Sequence, residues 1–205
     1  MYAKQCIIAL DMEGVLTPEI WINVADKTGI EGLRLTTRDI PDYDELMQGR
    51  LKLLRENKLT LSDIRNVIAE LKPLEGAIEF LNELRRNTQV VILSDTFLEF
   101  AKPLVAQLEY PTLFCHNLIV ENDIIVDYRL RQHDQKRKVV AALKTLNVNI
   151  LAGGDSYNDT AMLCEADCGI LFRAPERVKS EFPQFETVET HPDFLAAIMQ
   201  WLAGN

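Results

Sequence analysis

The strongest constraint on the fold is a short apolar run near the start of the chain that stops abruptly at two acids. The run Cys6–Leu10 carries no polar side chain, and Asp11, Glu13 and Gly14 follow it directly. A run of this length predicts a strand covered on both faces, as in a parallel sheet flanked by helices. Ligand sites in such sheets lie beyond the carboxyl ends of the strands, so Asp11 and Glu13 stand where a site is expected.

Length and composition are those of one globular domain with room for an insertion. The chain has 205 residues, of which 47% are hydrophobic and 26% are charged. A net charge of −9 argues against nucleic acid or an anionic membrane as a partner. Neither a membrane-spanning apolar run nor a secretion signal is recognisable, so the expected location is the cytoplasm.

The four cysteines and three histidines show no metal-ligand spacing. The cysteines are therefore interpreted as small packing residues, namely Cys6, Cys115, Cys164 and Cys168. His133 is predicted to be a surface residue.

Hydrophobic periodicity predicts a change from strand to helix after Thr17. Residues 17–72 appear all-helical: Pro18 suits a first helical turn, a second helix is expected from Asp42, and a third from Thr60 or Ser62, with Ser62 as a candidate cap. From Pro73 onward helices and strands alternate. The predicted elements are a helix over Glu75–Arg86, a strand over Val90–Leu93, a helix over Leu98–Leu108 interrupted near Pro103, a strand over Thr112–Cys115, a hairpin of Leu118–Val120 and Ile124–Val126, a helix capped by Asp134, a strand over Val148–Ala152, a helix over Asn158–Cys164, a strand over Cys168–Leu171 and a closing helix over Pro192–Leu202.

This order predicts an α/β fold: a doubly wound, Rossmann-like parallel sheet that carries a small helical cap inserted after the first strand. The core would comprise residues 1–16 and 73–205, and the cap residues 17–72. An insertion at that position hangs over the carboxyl ends of the strands, where a lid belongs.

Polar side chains follow three of the predicted strands. Asp11 and Glu13 follow the first, Ser94 and Asp95 the second, and Asp155 with Asp159 a later one, while Lys136 begins a helix between them. Carboxylates that converge at one sheet edge need a compensating cation, and ligands of oxygen alone suit Mg²⁺. A carboxylate can also attack phosphorus and form an aspartyl-phosphate. Asp11 is the candidate nucleophile, and Glu13 is placed to act as general acid and base.

Each of these residues also has a purely structural interpretation. Asp155 could simply cap the next helix, and Ser94 could form a turn. Lys136 lies in the run Lys136-Arg137-Lys138, which is typical of a solvated face. Only the combination of acids at one sheet edge favours a site.

Four sequence motifs, in order, resemble those of the haloacid dehalogenase-like phosphatases. They are Asp11-Met12-Glu13-Gly14-Val15-Leu16, Ser94, Lys136 and Gly154-Asp155-Ser156-Tyr157-Asn158-Asp159. Within that superfamily the chain is most similar to phosphoserine phosphatases, and especially to bifunctional members that also act as homoserine phosphotransferases and share a glutamate at the second acidic position. The resemblance covers nearly the whole chain.

The resemblance implies a role for each matching position. Asp11 would accept the phosphoryl group and bind Mg²⁺, and Glu13 would act as acid and base with its backbone carbonyl on the metal. Asp155 would be a further ligand, and Asp159 would hold a metal-bound water.

The remaining positions would bind substrate. The phosphate would be bound by Ser94 and Lys136, with Asp95 and Asn158 beside them. In the cap, Glu19 and Arg50 would recognise the ammonium and carboxylate of phosphoserine, although a first-turn glutamate and a surface arginine need no function. Trp21 and Tyr43 are interpreted as packing within the cap.

Two departures from the family pattern affect the functional prediction. Most of these phosphatases carry aspartate where Glu13 stands, and the longer side chain could favour an alcohol over water as acceptor. Ser156 replaces a frequent glycine. The implied partners are phosphoserine and, as acceptor, homoserine; a homodimer is left open.

Three alternatives remain at this stage. The substrate could be another small phosphomonoester. A dehalogenase is disfavoured because halide displacement needs no metal. A catalytically idle, phosphate-sensing module is also disfavoured, because every proposed reactive group is present.

Overall fold

A computed structural model describes residues 4–36, 39–40 and 42–205. Its centre is a seven-stranded sheet in the order β4-β3-β2-β1-β5-β6-β7, parallel except for the β3–β4 pair. The strands are β1 (Cys6–Leu10), β2 (Gln89–Phe97), β3 (Thr112–Glu121), β4 (Ile124–Arg129), β5 (Asn149–Gly154), β6 (Cys168–Phe172) and β7 (Glu186–Val188). The predicted Rossmann-like α/β class is confirmed.

Nine α-helices are described, most of them flanking the sheet. They are α1 (Ile20–Thr28), α2 (Tyr43–Glu56), α3 (Leu61–Glu70), α4 (Ala77–Asn87), α5 (Leu98–Gln107), α6 (Gln135–Lys144), α7 (Tyr157–Glu165), α8 (Glu176–Glu181) and α9 (His191–Ala203). A 3₁₀ turn covers Glu31–Arg34.

Strand β1 lies at the centre of the sheet, between β2 and β5. Ile8, Ala9 and Leu10 are fully buried. Ile8 and Leu10 belong to one apolar cluster and Ala9 to a second, because successive side chains of a strand point to opposite faces. The apolar run is therefore a strand covered on both faces, which places Asp11 at the edge of the sheet between its two halves.

The segment after β1 forms α1, the 3₁₀ turn, α2 and α3, as the helical pattern predicts. Ile20, Met47 and Ile64 from these helices belong to the same apolar cluster as Ile8 and Leu10. The segment therefore shares a core with one face of the sheet. The division into core and cap at residues 16 and 72 stays a prediction.

Helix α3 begins at a different cap from the one predicted. Thr60, not Ser62, is the N-cap: its hydroxyl accepts from the Asp63 backbone N–H, and the Asp63 carboxylate accepts from the Thr60 N–H. This reciprocal arrangement satisfies two N–H groups that would otherwise lack partners. Ser62 instead bonds through its N–H and hydroxyl to Asp123.

Helix α5 continues through Pro103, contrary to the interruption predicted there. Proline has no N–H, so the carbonyl of Glu99, four residues earlier, loses its helical donor. Arg65 of α3 supplies a replacement, with its Nε 2.9 Å from the Glu99 carbonyl oxygen. A long-range contact thus compensates a local helix breaker.

Several further predictions need correction. The predicted strand at Thr112 and the first arm of the hairpin are one strand, β3, because the two residues between them, His116 and Asn117, pair with β2 and β4. Asp134 precedes α6 but its side chain caps no backbone N–H and pairs with Arg137 instead. Cys164 is exposed, whereas Cys115 is buried. His133 is exposed, as predicted.

Helix α8 and strand β7 had no counterpart in the prediction. Both are short, six and three residues respectively, and such segments carry too few residues for a period to show. Within the described residues, no helix combines the length and the apolar character that crossing a membrane requires.

Candidate active site

The loop after β1 fixes Asp11 at the sheet edge. The Asp11 N–H donates to the Gly153 carbonyl of β5 at 2.9 Å, which continues the β1–β5 ladder by one residue. The Asp11 Oδ1 accepts the Met12 N–H at 2.7 Å. Beyond it the chain turns tightly, with the N–H groups of Leu16 and Thr17 both donating to the Met12 carbonyl. The Asp11 carboxylate is buried at the floor of a cavity.

Lys136 lies at the same edge, because α6 begins beside the end of β2. Its Nζ lies 2.9 Å from Asp11 Oδ1, 2.8 Å from Asp159 Oδ1 and 3.7 Å from Asp95 Oδ2. Burial alone would lower the pKa of Lys136, but the surrounding carboxylates outweigh it and raise that pKa well above its usual value. Lys136 is therefore a fixed positive charge, and the interpretation of this charge run as a solvated face is wrong for Lys136.

Asp11, Asp155 and Asp159 form an acidic cluster, in which one carboxylate oxygen from each lies within 4.8 Å of the others. Burial, and then the negative charge of Asp159, raise the pKa of Asp11 above its ordinary range, against the opposing charge of Lys136. Three acids facing one lysine leave an excess of negative charge in a buried site. An oxygen-only donor set with that excess fits Mg²⁺.

The backbone conformation at Gly14 also supports a metal site beside Asp155. Gly14 has a positive φ of 79°, and a Cβ placed there would approach the Asp155 carboxylate to 2.5 Å. The loop therefore needs glycine so that its backbone can lie against that carboxylate. The residues present thus fit a divalent cation held between the loop and Asp155.

Asp159 is the most deeply buried of the acids, with no exposed surface. Its Oδ2 accepts the N–H groups of Asp155 and Ser156, at 3.0 and 3.1 Å, and the second of these bonds belongs to the capping box of α7. Its Oδ1 accepts from Lys136. Asp159 therefore orients both Asp155 and Lys136.

Glu13 reaches from the loop after β1 toward α1. Its Oε2 accepts the Ile20 N–H, the first of that helix, at 2.8 Å. Burial raises the pKa of Glu13 above its ordinary value, although the Ile20 N–H and the Thr96 hydroxyl oppose the shift. A carboxyl group that stays protonated at higher pH than usual is suited to act as an acid.

Ser94, Asp95 and Asn158 complete the side of the cavity near the sheet. The Ser94 Oγ accepts the Thr96 N–H at 3.3 Å. The Asp95 Oδ2 accepts from Asn158 Nδ2 at 3.4 Å. Burial would raise the pKa of Asp95, but the charge of Lys136, the neighbouring His116 and a hydrogen bond from Gln135 hold that pKa below the usual range.

The opposite wall is built by the helical segment, where Glu19 and Arg50 both line the cavity. The Arg50 guanidinium lies 4.6 Å above the Trp21 ring and donates through Nη2 to the Leu35 carbonyl at 2.7 Å. Burial lowers the pKa of Arg50 to about 10, against the opposing influence of Tyr43 and of the Glu13 and Glu19 carboxylates. Within the described residues, Arg50 Nε is buried without a hydrogen-bond partner.

The structure thus brings every predicted site residue to one cavity or to its immediate support. Trp21 and Tyr43 also line the cavity, so their interpretation as packing alone was incomplete. Thr96, His116 and Gln135 were missed. Thr96 follows Ser94 and Asp95 and could have been suspected, whereas His116 and Gln135 carried no signal in the sequence.

Comparison with known proteins points to one family. The model of the haloacid dehalogenase-like hydrolases matches residues 7–167. A phosphoserine phosphatase of Pseudomonas syringae pv. tomato is 63% identical over 185 residues, covering 90% of this chain and 78% of that protein. The phosphoserine phosphatase ThrH of Pseudomonas aeruginosa is 61% identical over 188 residues, covering 91% and 92%.

Solved structures share the fold at lower identity. A phosphoserine phosphatase in its apo form superposes with a TM-score of 0.76 at 23% identity, covering 92% of this chain and 95% of that one. A phospho-aspartyl intermediate analogue of phosphoserine phosphatase gives 0.75 at 21% identity, covering 90% and 93%.

Proposed function

This chain belongs to the haloacid dehalogenase-like hydrolase family, and on that basis we propose that it is a Mg²⁺-dependent phosphatase of O-phospho-L-serine. One observation carries the proposal: a single cavity has Asp11, Ser94 and Lys136 on one wall and Glu19 with Arg50 on the other. The first wall suits a phosphoryl group and the second an amino acid's ammonium and carboxylate. The printed names of the two relatives at 61–63% identity support it.

The Nε of Arg50, which has no hydrogen-bond partner among the described residues, is consistent with this substrate. A buried guanidinium N–H without an acceptor is costly, because the desolvation of the donor is not repaid. The carboxylate of phosphoserine would supply an acceptor, and Arg50 binds carboxylates well because its donors form a planar fork. Glu19, near enough to influence the pKa of Arg50, would receive the ammonium.

The reaction would proceed in two steps. A carboxylate oxygen of Asp11 attacks phosphorus, the bond from phosphorus to the serine oxygen breaks, and Glu13 gives that oxygen its proton. In the second step Glu13 takes a proton from the acceptor, whose oxygen attacks phosphorus and releases Asp11. Lys136 and the Ser94 hydroxyl stabilise the charge on the phosphoryl oxygens in both steps. Mg²⁺ held by Asp11, Asp155 and the Glu13 carbonyl, with Asp159 behind, would neutralise further charge there.

We also propose that L-homoserine is an acceptor, which gives O-phosphohomoserine. Homoserine carries the same ammonium and carboxylate as serine and is longer by one methylene, so the same wall would bind it. Glu13, longer than the aspartate usual in the family, would suit an alcohol held in place better than a mobile water molecule. A cytoplasmic location is proposed with this metabolic role.

The decisive experiment is an assay with phosphoserine and Mg²⁺, with and without homoserine. We expect release of phosphate without homoserine and formation of phosphohomoserine with it. Asp11→Asn should abolish both products, since an amide is a poor nucleophile. If neither product forms, the substrate assignment is wrong, and a screen of small phosphomonoesters replaces it; substantial turnover by Asp11→Asn would exclude Asp11 as the nucleophile.

A further inference from the structure

Two buried polar side chains behind the phosphoryl side of the cavity have no part in the reaction described above. His116 of β3 and Gln135 of α6 are each only 3% exposed. The side chains lie side by side, with Gln135 Nε2 3.4 Å from His116 Nε2. Buried polar groups of this kind persist when they are fully hydrogen-bonded, so their partners reveal what they hold in place.

The orientation of Gln135 is fixed by its partners. Its Oε1 accepts from Arg131 through Nε at 3.1 Å and Nη2 at 2.9 Å. A guanidinium can only donate, so the amide oxygen must face it and the amide nitrogen must face the other way. That nitrogen donates to the Ser94 carbonyl at 2.5 Å and to Asp95 Oδ1 at 3.1 Å.

The orientation of His116 is fixed in the same manner. Its Nδ1 accepts the backbone N–H of Arg131 at 3.1 Å. The neutral ring then carries its proton on Nε2, which faces Asp95 Oδ1 across 3.6 Å. Gln135 and His116 therefore present donors to the same oxygen of Asp95.

Asp95 connects these donors to the site. While its Oδ1 faces Gln135 and His116, its Oδ2 faces Lys136 Nζ at 3.7 Å and Asn158 Nδ2 at 3.4 Å. Gln135 also holds the backbone of Ser94, whose hydroxyl lines the cavity. Displacement of the Asp95 carboxylate would free Asn158 and would remove one of the three carboxylates that hold Lys136, leaving Asp11 and Asp159.

We propose that Gln135 and His116 are positioning residues for phosphoryl transfer, which act through Asp95 and the Ser94 backbone to fix Lys136, Asn158 and the Ser94 hydroxyl around the phosphoryl group. The substrate assumed in this inference is that of the proposed function, whereas the contacts that support it do not depend on that function. Since a displacement near 1 Å costs up to about a hundredfold in rate, small changes at the two residues have large effects.

The main test compares Gln135→Glu with Gln200→Glu. The first variant keeps an oxygen for Arg131 but replaces the donor to Asp95 with a negative oxygen; the second makes the same charge change at an exposed residue of α9. For Gln135→Glu we expect the kcat for phosphoserine to fall about tenfold or more, while the KM changes less than about threefold because the amino-acid end is held by the opposite wall. Gln200→Glu should match the wild type. Equal effects of the two variants would overturn the proposal.

A second pair keeps the test valid if Gln135→Glu fails to fold. In His116→Asn the side-chain oxygen can still accept the Arg131 N–H, but the shorter side chain brings no donor as far as Asp95. The longer side chain of His116→Gln restores an N–H donor at the distance of Asp95. We expect weaker binding of inorganic phosphate in the presence of Mg²⁺ for His116→Asn, and recovery for His116→Gln. Unchanged phosphate binding in His116→Asn would contradict the proposal.

Two readouts separate this inference from the proposed substrate. Nitrogen-15 NMR of the unliganded protein should show His116 as the Nε2-protonated tautomer; an Nδ1-protonated ring would overturn the geometry. If the wild type does not act on phosphoserine, the proposed function fails, but the binding of inorganic phosphate by the His116 variants still decides the inference.

Discussion

At the scale of single residues, Gly14 shows how tightly the candidate metal site is built. Its φ of 79° lies in the left-handed region, and its Cα lies against the Asp155 carboxylate. The backbone can approach a charged side chain this closely only where no Cβ intervenes. The glycine that follows Asp11 and Glu13 in the sequence is thus required twice, by conformation and by space.

We expect Gly14→Ala to lower the free energy of unfolding by at least about 1 kcal/mol, because alanine in the left-handed region costs roughly that much and Asp155 must also move. Binding of Mg²⁺ should weaken for the same reason. Gly49→Ala is the matched control, because a Cβ at Gly49 in α2 meets nothing within 4 Å. That variant should gain about 0.5–1 kcal/mol in urea unfolding. Similar losses in the two variants would contradict this account.

Glu13 has the most specific role in the proposed chemistry, because it both donates and accepts a proton. Glu13→Gln keeps an oxygen for the Ile20 N–H but removes the proton donor, so we expect kcat on phosphoserine to fall by about 10²–10⁴ with little change in thermal stability. With p-nitrophenyl phosphate, whose leaving group needs no proton, the variant should release about one equivalent of nitrophenolate rapidly and then slow. A kcat on phosphoserine close to the wild-type value would exclude Glu13 as the acid and base.

At the scale of elements, the helical segment is fastened to the β3–β4 turn as well as packed on the sheet. The N–H groups of Leu61 and Ser62, at the start of α3, donate to the Asp123 carbonyl and carboxylate at 2.8 and 3.2 Å. On the neighbouring helix α2, Asp44 accepts a hydrogen bond of 2.5 Å from the hydroxyl of Tyr128, which belongs to β4. The antiparallel hairpin thus supports the wall that carries Arg50.

Asp123→Ala should remove an acceptor used by both the N–H and the hydroxyl of Ser62, and should place alanine at a φ of 67°. We expect a loss of about 1–2 kcal/mol in unfolding free energy. Asp123→Asn keeps an oxygen and tolerates the left-handed conformation, so it should lose less than half as much. If alanine and asparagine are equivalent in denaturant unfolding, the docking contact contributes nothing.

Elements with a clear pattern followed from the sequence, whereas weakly patterned or interrupted ones did not. The strand β1 is an unbroken apolar run. The helices α2 and α4 repeat their period over 14 and 11 residues, and a repeated period survives one unusual side chain. At His116 and Pro103 a single residue suggested a break. The group that satisfies His116 is the Arg131 N–H, 15 residues away, and Arg65 satisfies the Glu99 carbonyl that Pro103 leaves without a helical donor, from 34 residues away. Local pattern carries no information about such partners.

At the scale of the whole molecule, the site exists because the topology brings distant segments to one edge of the sheet. Asp11 follows β1 and Asp155 follows β5. These two strands are neighbours in the sheet, although more than half of the chain lies between the two acids. The excess of buried negative charge at that edge opposes folding until a cation is bound. Stability of the whole chain should therefore respond to Mg²⁺.

We expect Mg²⁺ to raise the thermal midpoint, with a gain of about 1.4 kcal/mol at a tenfold excess over its Kd, and a chelator to reverse both this shift and the activity. Asp155→Asn should abolish the shift. Asp127→Asn, a change of the same kind at an exposed residue of β4, should leave it intact. A shift that survives in Asp155→Asn would place the cation elsewhere.

The sequence by itself determined the fold class and predicted acids at the ends of its strands. Both follow from residues next to one another in the chain: an apolar run predicts a buried strand, and the polar residues that end it must lie at the sheet edge. Only the tertiary structure decided which side chains support that chemistry. The proposed roles of Arg50 over Trp21, and of Gln135 with His116 behind Asp95, depend on contacts across the fold. Each of those contacts matters because its groups are buried. Burial of these side chains results from tertiary packing and produces no periodic pattern in the sequence.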